Sequence, residues 1–214
     1  MEFSIRPGSL QPGFFQKGGR PVRFEPRDVW LKNGTVCTLR PAVPEDAEQM
    51  IAYMKQTAAE TEYVLRYPDE VQFTLEQERN ILQRLMEDPQ AVMMAAIVNG
   101  QLAGNSSIGG LGPKRKVRHR CSLAIALKRE YWGQGIGTAM IGYLTELAGQ
   151  MGFAQIDLEV VADNARAIAL YEKCGFTATG RRMRALRFDD GSWHDELIMV
   201  KLLTKEQEGA NETL

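Results

Sequence analysis

A glycine-rich segment, Tyr131 to Ala139, carries the residues whose types and spacing are most suggestive of chemistry. It reads YWGQGIGTA and separates a predicted strand from a long predicted helix. Glycines let the backbone turn tightly and approach a ligand, and the free N–H groups at a helix start bind anions such as phosphate. The spacing is not that of a P-loop, since no Gly-Lys-Ser/Thr follows, nor of a Rossmann loop, since Thr138 replaces the third glycine. Alone, the segment fits a phosphate site and a structural turn equally well.

A second segment begins on the strand predicted over residues 154–161. Alternation along this strand places Asp157 and Glu159 on the face opposite a row of apolar residues, Ile156, Leu158 and Val160. We expect the carboxylates to lie near the end of the sheet where ligand crevices of α/β proteins open. On the following helix, Tyr171 shares a side with Ala165, Ile168 and Cys174, so its ring is predicted to face inward.

Together the two segments resemble the GNAT superfamily of acyl-CoA-dependent N-acetyltransferases, and within it the branch that acetylates ribosomal-protein N-termini. In that family a Q/R-x-x-G-x-G/A loop holds the CoA pyrophosphate, and an N-x-x-A…L-Y-x-x-x-G-F segment follows the next strand. The loop matches in two registers: a literal one with Gln134, Gly137 and Ala139, and a structural one with Gly135 and Gly137 as the glycines and Trp132 in place of Gln or Arg. The second motif matches throughout residues 164–176.

The resemblance also implies roles for individual residues. Those assigned to the acyl-CoA donor lie on the strand before the loop, in the loop and after the next strand: Ile125, Ala126, Leu127, Gly133, Gln134, Gly135, Ile136, Gly137, Thr138, Asn164 and Tyr171. Tyr171 would protonate the leaving thiolate, and Glu159 would accept a proton from the attacking amine, with another carboxylate such as Glu62 as the alternative base. Attack within a ternary complex needs no nucleophilic cysteine and no metal.

The elements that must position these residues form an alternating α/β pattern. Strands are predicted over 35–40, 91–98, 101–108, 121–127, 154–161, 176–188 and 193–203, and helices over 44–60, from Thr74, from Ile136 and from Asp163 or Asn164. Asn99-Gly100 suits a two-residue hairpin turn, and residues 74–77 resemble a capping box. Two helices show an apolar side: the one from Thr74, with Leu75, Ile81, Leu82 and Leu85, and the one from Ile136, with Ile136, Met140, Leu144 and Leu147. This indicates a mixed α/β (α+β) domain, and the resemblance implies a central mixed, mostly antiparallel sheet flanked by helices. We expect an irregular N-terminal extension over 1–30, the catalytic domain over 31–203 and a polar tail over 204–214.

Composition excludes several other classes of protein. The 214 residues carry 26 basic and 27 acidic side chains, a net charge of -1, so nothing draws the whole chain to nucleic acid or an anionic membrane. Three cysteines and two histidines lack the spacing of a metal site or a disulfide framework. No apolar run approaches the roughly 20 residues of a membrane span, so we expect a cytoplasmic protein, monomeric or homodimeric.

Three points stay open at this level. The basic stretch 114–120 is either a solvated loop or an anion site for the CoA 3′-phosphate, an acidic substrate or ribosomal RNA. Residues 60–67, with Glu60, Glu62, Tyr63, Arg66 and Tyr67, match the region that lines the acceptor site in GNAT proteins, although a surface turn explains them equally well. A non-catalytic acyl-CoA-binding module is the alternative to an enzyme, but it would need neither Tyr171 nor Glu159.

Overall fold

The computed structural model describes residues 24–203, which form one eight-stranded sheet with four α-helices. In chain order the elements are β1 (Arg27–Trp30), β2 (Val36–Pro41), α1 (Ala47–Glu60), α2 (Leu75–Glu87), β3 (Ala91–Val98), β4 (Gln101–Gly110), β5 (Arg120–Leu127), α3 (Ile136–Gln150), β6 (Gln155–Val161), α4 (Ala165–Lys173), β7 (Thr177–Arg187) and β8 (Trp193–Leu202). The strand order is β1-β2-β3-β4-β5-β6-β8-β7, and only β5 and β6 run parallel among these strands. The predicted mixed, mostly antiparallel sheet is confirmed.

Local sequence signals account for the helices and the hairpin of the first half. Asn99 and Gly100 have φ angles of 50° and 76°, the left-handed values that a two-residue hairpin turn requires. The predicted capping box before α2 forms reciprocally, since Gln77 N–H donates to Thr74 Oγ1 at 3.1 Å and Thr74 N–H donates to Gln77 Oε1 at 2.8 Å. The predicted apolar side of α2 is only partly correct, because Leu75 is exposed and Glu78 is buried.

The sheet has an apolar core on each face. One core contains the predicted apolar side of α3, namely Ile136, Met140, Leu144 and Leu147, packed with Leu158 and Val160 of β6. The other core lies under α1 and α2 and includes Met50, Tyr53 and Leu82. The alternation predicted for β6 therefore holds, and Glu159 lies on the α1 face of the sheet.

The N-terminal segment differs from the expectation of an irregular stretch up to residue 30. Residues Arg27–Trp30 form β1 and pair with β2, and Phe24 is buried edge-on against Tyr143 of α3, with ring centroids 5.3 Å apart. Tyr143 also donates a hydrogen bond to Glu25 O at 2.7 Å. Residues 24–30 thus belong to the domain, whereas residues 1–23 of the predicted extension and the predicted tail 204–214 lie outside the described residues.

The pairing of β5 with β6 is short. Only residues Arg120–Ser122 pair with Gln155–Asp157, and within the described chain the remaining edges, 123–127 and 158–161, face each other unpaired. We call the gap between these two edges the wedge. Buried backbone N–H and C=O groups without partners are costly, so the wedge is a place where a ligand can complete the hydrogen bonding.

Gly104 keeps the other edge of β5 in place and provides a test of this arrangement. A Cβ at Gly104 would lie 2.7 Å from Ala126 O, a backbone atom that cannot move aside without shifting β5. Gly104→Ala is therefore expected to reduce the free energy of unfolding by about 1–3 kcal/mol, measured by urea denaturation. Gly109→Ala, in the same strand with no atom within 4 Å of its added Cβ, is the matched control. Equal midpoints for the two variants would contradict the close β4–β5 contact.

Candidate active site

The wedge presents backbone groups of β5 from alternate residues. Lys128 N–H donates to Ala103 O of β4 at 3.0 Å, so alternation turns the N–H and C=O groups of Ile125 and Leu127 away from β4, toward the wedge. Those of Ala126 point to β4 instead. Of the three β5 residues assigned to the acyl-CoA donor, the geometry therefore favours Ile125 and Leu127 for backbone pairing with a ligand. The Leu127 carbonyl already accepts a 2.8 Å bond from Trp132 Nε1.

The glycine loop forms a cradle at the end of the wedge. Gly133 and Gly135 have φ angles of 74° and 97°, and a Cβ at either would meet nothing within 4 Å, so the space beside both is open. α3 starts at Ile136, and the first bond after the loop runs from Ala139 N–H to Gly135 O at 3.1 Å. The N–H groups of the first helical turn thus precede the helical ladder and point to where an anion would bind.

The two registers of the loop motif are distinguished by Gln134. Its Nε2 donates to Glu130 O at 2.8 Å, while its Oε1 is buried without a partner among the described residues. One amide N–H of Gln134 is therefore used inside the loop, and its buried acceptor oxygen does not suit a phosphate. This geometry favours the register in which Gly135 and Gly137 are the motif glycines and Trp132 occupies the first position.

Gly137 joins three elements at the cradle. A Cβ on it would lie 3.0 Å from Leu170 Cδ2 of α4 and 3.5 Å from Leu127 Cδ1 of β5. The small residue thus lets α4 approach both the start of α3 and the unpaired end of β5. This contact positions the helix that carries Tyr171.

Arg166 is a cradle residue that the motif analysis missed. Its guanidinium carbon lies 4.6 Å from the centroid of the Trp132 ring, and that of Arg129 lies 5.5 Å away. Arg129 is also tied to Glu60, whose Oε2 accepts its N–H at 2.6 Å. Arg166 forms no ion pair within residues 24–203, although it is in the first turn of α4, where the helix dipole disfavours a cation. A bound anion at the cradle would offset that cost.

Asn164 has a structural role in the described chain. It is the N-cap of α4, and its Oδ1 accepts Ala167 N–H at 3.1 Å. The side-chain nitrogen is then the group left to reach a donor ligand.

Tyr171 is fully buried, as predicted, with its ring 5.9 Å from that of Phe176. Burial, with a smaller contribution from the nearby Cys174, raises the pKa of its hydroxyl above the ordinary value. The phenol therefore stays protonated at neutral pH, as a proton donor must. The predicted inward side of α4 is otherwise only partly correct, because Ala165 at the first helical position is exposed.

Glu159 does not stand alone on its face of β6. Its Oε1 accepts from Arg182 Nη2 at 2.5 Å, and Arg182 Nη1 donates to Glu196 Oε2 at 2.6 Å. The hydrogen bond to Glu159 is the largest of the effects that raise the pKa of Arg182, which stays charged between the two carboxylates. Two acids against one cation leave this cluster with a surplus negative charge, which suits an ammonium group.

The segment between α1 and α2 lies over the same face of the sheet as Glu159, the α1 face. Tyr63 Oη donates to Asp163 O at 3.4 Å, and Asp189 N–H donates to Tyr67 Oη at 2.8 Å. The region assigned to the acceptor thus touches both the turn after β6 and the turn before β8. Glu60 is bonded to Arg129, and Glu62 is exposed.

The basic stretch 114–120 lies at the far end of β5 from the cradle. The strand is eight residues long, about 25 Å at roughly 3.3 Å per residue. Arg120 is paired with Asp157 at the start of the strand, with Nε 2.9 Å from Oδ2. The stretch therefore does not lie at the cradle, where Arg129 and Arg166 are the nearby cations.

Comparison with known proteins identifies the class to which this fold and site belong. Residues 53–176 match the acetyltransferase (GNAT) family. The fold is similar to the crystal structure of a GNAT-family acetyltransferase from Streptococcus pneumoniae, with a TM-score of 0.74. The two sequences are 27% identical, and the match covers 78% of this chain and 99% of that one. None of the helices in residues 24–203 is long and apolar enough to cross a membrane.

Two curated relatives from Escherichia coli (strain K12) match as well. The chain is 35% identical to a [ribosomal protein bS18]-alanine N-acetyltransferase over 104 residues, and this match covers 48% of this chain and 70% of the relative. It is 26% identical over 122 residues to an L-amino acid N-acetyltransferase, which covers 56% of this chain and 74% of the relative. The chain belongs to the acetyltransferase (GNAT) family, and the expectation of an N-acetyltransferase is confirmed.

The cysteines provide a test of whether the site works without a thiol nucleophile. Burial raises the pKa of Cys37 to about 11, and the nearby Asp28 contributes a smaller part of this increase. Burial also raises the pKa of Cys121 to about 12, with a smaller contribution from Asp157. In the native protein at neutral pH, we expect Ellman's reagent to reach neither thiol until the chain unfolds. Alkylating the half-buried Cys174 should leave acetyl transfer intact. Rapid native labelling of Cys37 or Cys121 would contradict the buried, protonated state.

Proposed function

We propose that this N-acetyltransferase transfers the acetyl group of acetyl-CoA directly to a primary amine in a ternary complex. The observation that carries the proposal is the meeting of the cradle, the unpaired β5 edge and the Tyr171 helix around Gly137. An acyl-CoA is a thioester with a phosphate-rich end and an amide-bearing arm, and the cradle and wedge offer groups that match each part. A cytoplasmic location and a monomeric or homodimeric state stay predictions.

On the donor side, the N–H groups from Gly133 to Thr138 would hold the pyrophosphate, assisted by Arg166 beside Trp132. Backbone groups of Ile125 and Leu127 would pair with the pantetheine amides, as a strand would. The side-chain nitrogen of Asn164 would provide a further contact to the bound acyl-CoA. These contacts fix the thioester in the wedge and leave the acetyl carbon open toward the α1 face.

On the acceptor side, the amine would approach from the α1 face, where Glu159 and Glu196 share Arg182. Glu159 Oε1 is engaged by Arg182, and its second oxygen has no hydrogen-bond partner among residues 24–203, so that oxygen can accept a proton from nitrogen. Tyr171 would donate its proton to the sulfur as the C–S bond breaks. The relatives named above are a [ribosomal protein bS18]-alanine N-acetyltransferase and an L-amino acid N-acetyltransferase, so a protein N-terminus and a free amino acid are both candidate acceptors.

The decisive experiment measures release of free thiol from acetyl-CoA with a panel of amines. The panel contains an alanine-initiated peptide, L-amino acids, a polyamine and an amine-bearing antibiotic, and mass spectrometry identifies the acetylated product. Thiol release with one of these supports the proposal and names the acceptor class. Calorimetric binding of CoA without thiol release for any of them would favour a non-catalytic acyl-CoA-binding module.

Tyr171→Phe tests the proton donor. The variant keeps the ring against Phe176 but removes the hydroxyl, so turnover is expected to fall about 10- to 1000-fold with little change in CoA affinity. Tyr143→Phe, which also removes a largely buried hydroxyl but lies on α3 away from the wedge, is the control. An unchanged turnover number for Tyr171→Phe would remove the residue from this role.

Arg166→Ala tests the cation at the cradle. The Kd of CoA, measured by calorimetry, is expected to rise about tenfold, since a charge-assisted contact to phosphate is lost. The Kd of pantetheine, which lacks the phosphates, should not change. Lys173→Ala, at the C-terminal end of the same helix, is the control. Equal weakening of CoA and pantetheine would show that Arg166 acts only through the fold.

A further inference from the structure

A hydrogen-bonded chain of side chains lies at the outer end of the acceptor face. His194 Nδ1 is 2.8 Å from Asp163 Oδ2, and His194 Nε2 is 2.8 Å from Ser192 Oγ. Ser192 Oγ is in turn 2.6 Å from Asp190 Oδ1, and the imidazole stacks on Phe188 with ring centroids 3.9 Å apart. These contacts fix the orientation of the imidazole between a carboxylate and a hydroxyl. We call Asp163, His194 and Ser192 the relay.

The partners determine where the proton of a neutral His194 resides. An ionised carboxylate only accepts hydrogen bonds, so Asp163 requires the proton on Nδ1 and leaves the lone pair on Nε2. Ser192 can then turn its hydroxyl proton from Asp190 Oδ1 to Nε2. When His194 gains a proton, Nε2 becomes a donor to Ser192 Oγ, and the hydroxyl proton turns to Asp190. The relay therefore has one state ready to accept a proton and one state that holds it.

Several other polar and charged groups around the relay are already engaged. Glu196, two residues from His194 on β8, is bonded to Arg182, and Asp195 binds Arg181 with Oδ2 2.7 Å from Nε. The hydroxyl and backbone bonds from Ser192, with His194 nearby, lower the pKa of Asp190. The Tyr63 hydroxyl donates a hydrogen bond to the backbone oxygen of Asp163, and the Tyr67 hydroxyl accepts one from the backbone N–H of Asp189.

The chemistry of the proposed reaction requires two proton acceptors. An ammonium loses one proton before its lone pair can form the N–C bond, and the nitrogen loses a second proton once that bond exists. The leaving sulfur takes up one proton as the C–S bond breaks, so one proton per turnover goes to solvent. Glu159 and Tyr171 account for the internal transfer from nitrogen to sulfur. The proton that goes to solvent needs a separate route.

We propose that the relay accepts this first proton from the acceptor ammonium, with Ser192 Oγ as the group that meets the ammonium and His194 Nε2 as the base. The inference rests on the proposed function. His194 and Glu196 are alternate residues of β8, and both share the α1 face with Glu159. Along β8, His194 lies two residues beyond Glu196, in the direction away from Glu159. Asp163 is exposed, so the proton held on the imidazole has access to water.

Nitrogen NMR of the imidazole tests the relay whether or not an acceptor is known. The chain has two histidines, so His119→Gln leaves His194 as a single signal, and His119 lies in the loop before β5, at the far end of the sheet. In that background we expect neutral His194 to be protonated on Nδ1, and Asp163→Asn to give a mixture of both tautomers. A neutral imidazole protonated on Nε2 would overturn the proposal.

The kinetic test uses the acceptor from the panel with the highest turnover. His194→Gln is expected to lower kcat/KM about 10- to 100-fold near neutral pH and to approach the parent value as pH rises above the pKa of the acceptor amine, which then arrives unprotonated. Ser192→Ala should behave in the same way, and His119→Gln should match the parent at every pH.

The outcomes separate this inference from the proposed function. The loss in Tyr171→Phe should persist at all pH values, because protonation of the thiolate is needed whatever the state of the amine. A His194→Gln defect of constant size across the pH range would show a structural role and overturn the relay while leaving the acetyltransferase intact. If the parent enzyme acetylates no amine in the panel, the proposed function fails, and the tautomer of His194 still decides whether the relay exists.

Discussion

The organisation of the site depends on the short parallel pairing of β5 with β6. Their three-residue contact at Arg120–Ser122 joins the two halves of an otherwise antiparallel sheet, and the strands then part. Everything assigned to the donor lies around this gap: the β5 edge, the start of α3 and the helix that carries Tyr171. Both strands are held firmly on their outer edges, by β4 and β8, so the gap cannot close by a slip of register without exposing a buried face. The apolar rows on both faces of the sheet thus maintain an open backbone edge inside the protein.

Features encoded over a few residues could be predicted from the sequence. The Asn99-Gly100 turn, the Thr74 cap and the period of α3 each depend on near neighbours, and the structure places them as expected. β1 was missed because its four residues, Arg27–Trp30, follow a region rich in proline and glycine and become a strand only by pairing with β2. Burial on α2 departed from the periodic pattern where Glu78, rather than Leu75, turned inward. A periodic pattern predicts that an element exists better than it predicts which of its end residues are covered.

The site residues that the sequence did not reveal come from contacts between distant parts of the chain. Arg182 reaches Glu159 from β7, whose pairing with β8 shifts between Ala178 and Gly180 and again after Arg182, so simple alternation cannot show which way its side chain points. Arg166 resembles any exposed helical arginine until the indole of Trp132 is placed beside it. His194 meets Asp163 only because β8 runs antiparallel to β6. The motifs point to a donor side because a loop and a helix start are local, whereas the proposed acceptor side is assembled from three turns that are distant in the sequence.

The charged residues of the domain form local clusters of opposite sign, although their sum is close to zero. A net charge of -1 conceals cations beside the cradle, where phosphate would bind, and a carboxylate surplus around Arg182, where an ammonium would bind. Tyr171 lies buried, and its raised pKa keeps it neutral, so in the proposed mechanism it would add no charge to either side before the sulfur leaves. A charged general acid in that position would bear the cost of desolvation throughout the catalytic cycle. A buried phenol avoids that cost, and in the proposed mechanism the proton that enters solvent would leave by the acceptor face, where Asp163 is exposed and His194 is partly exposed.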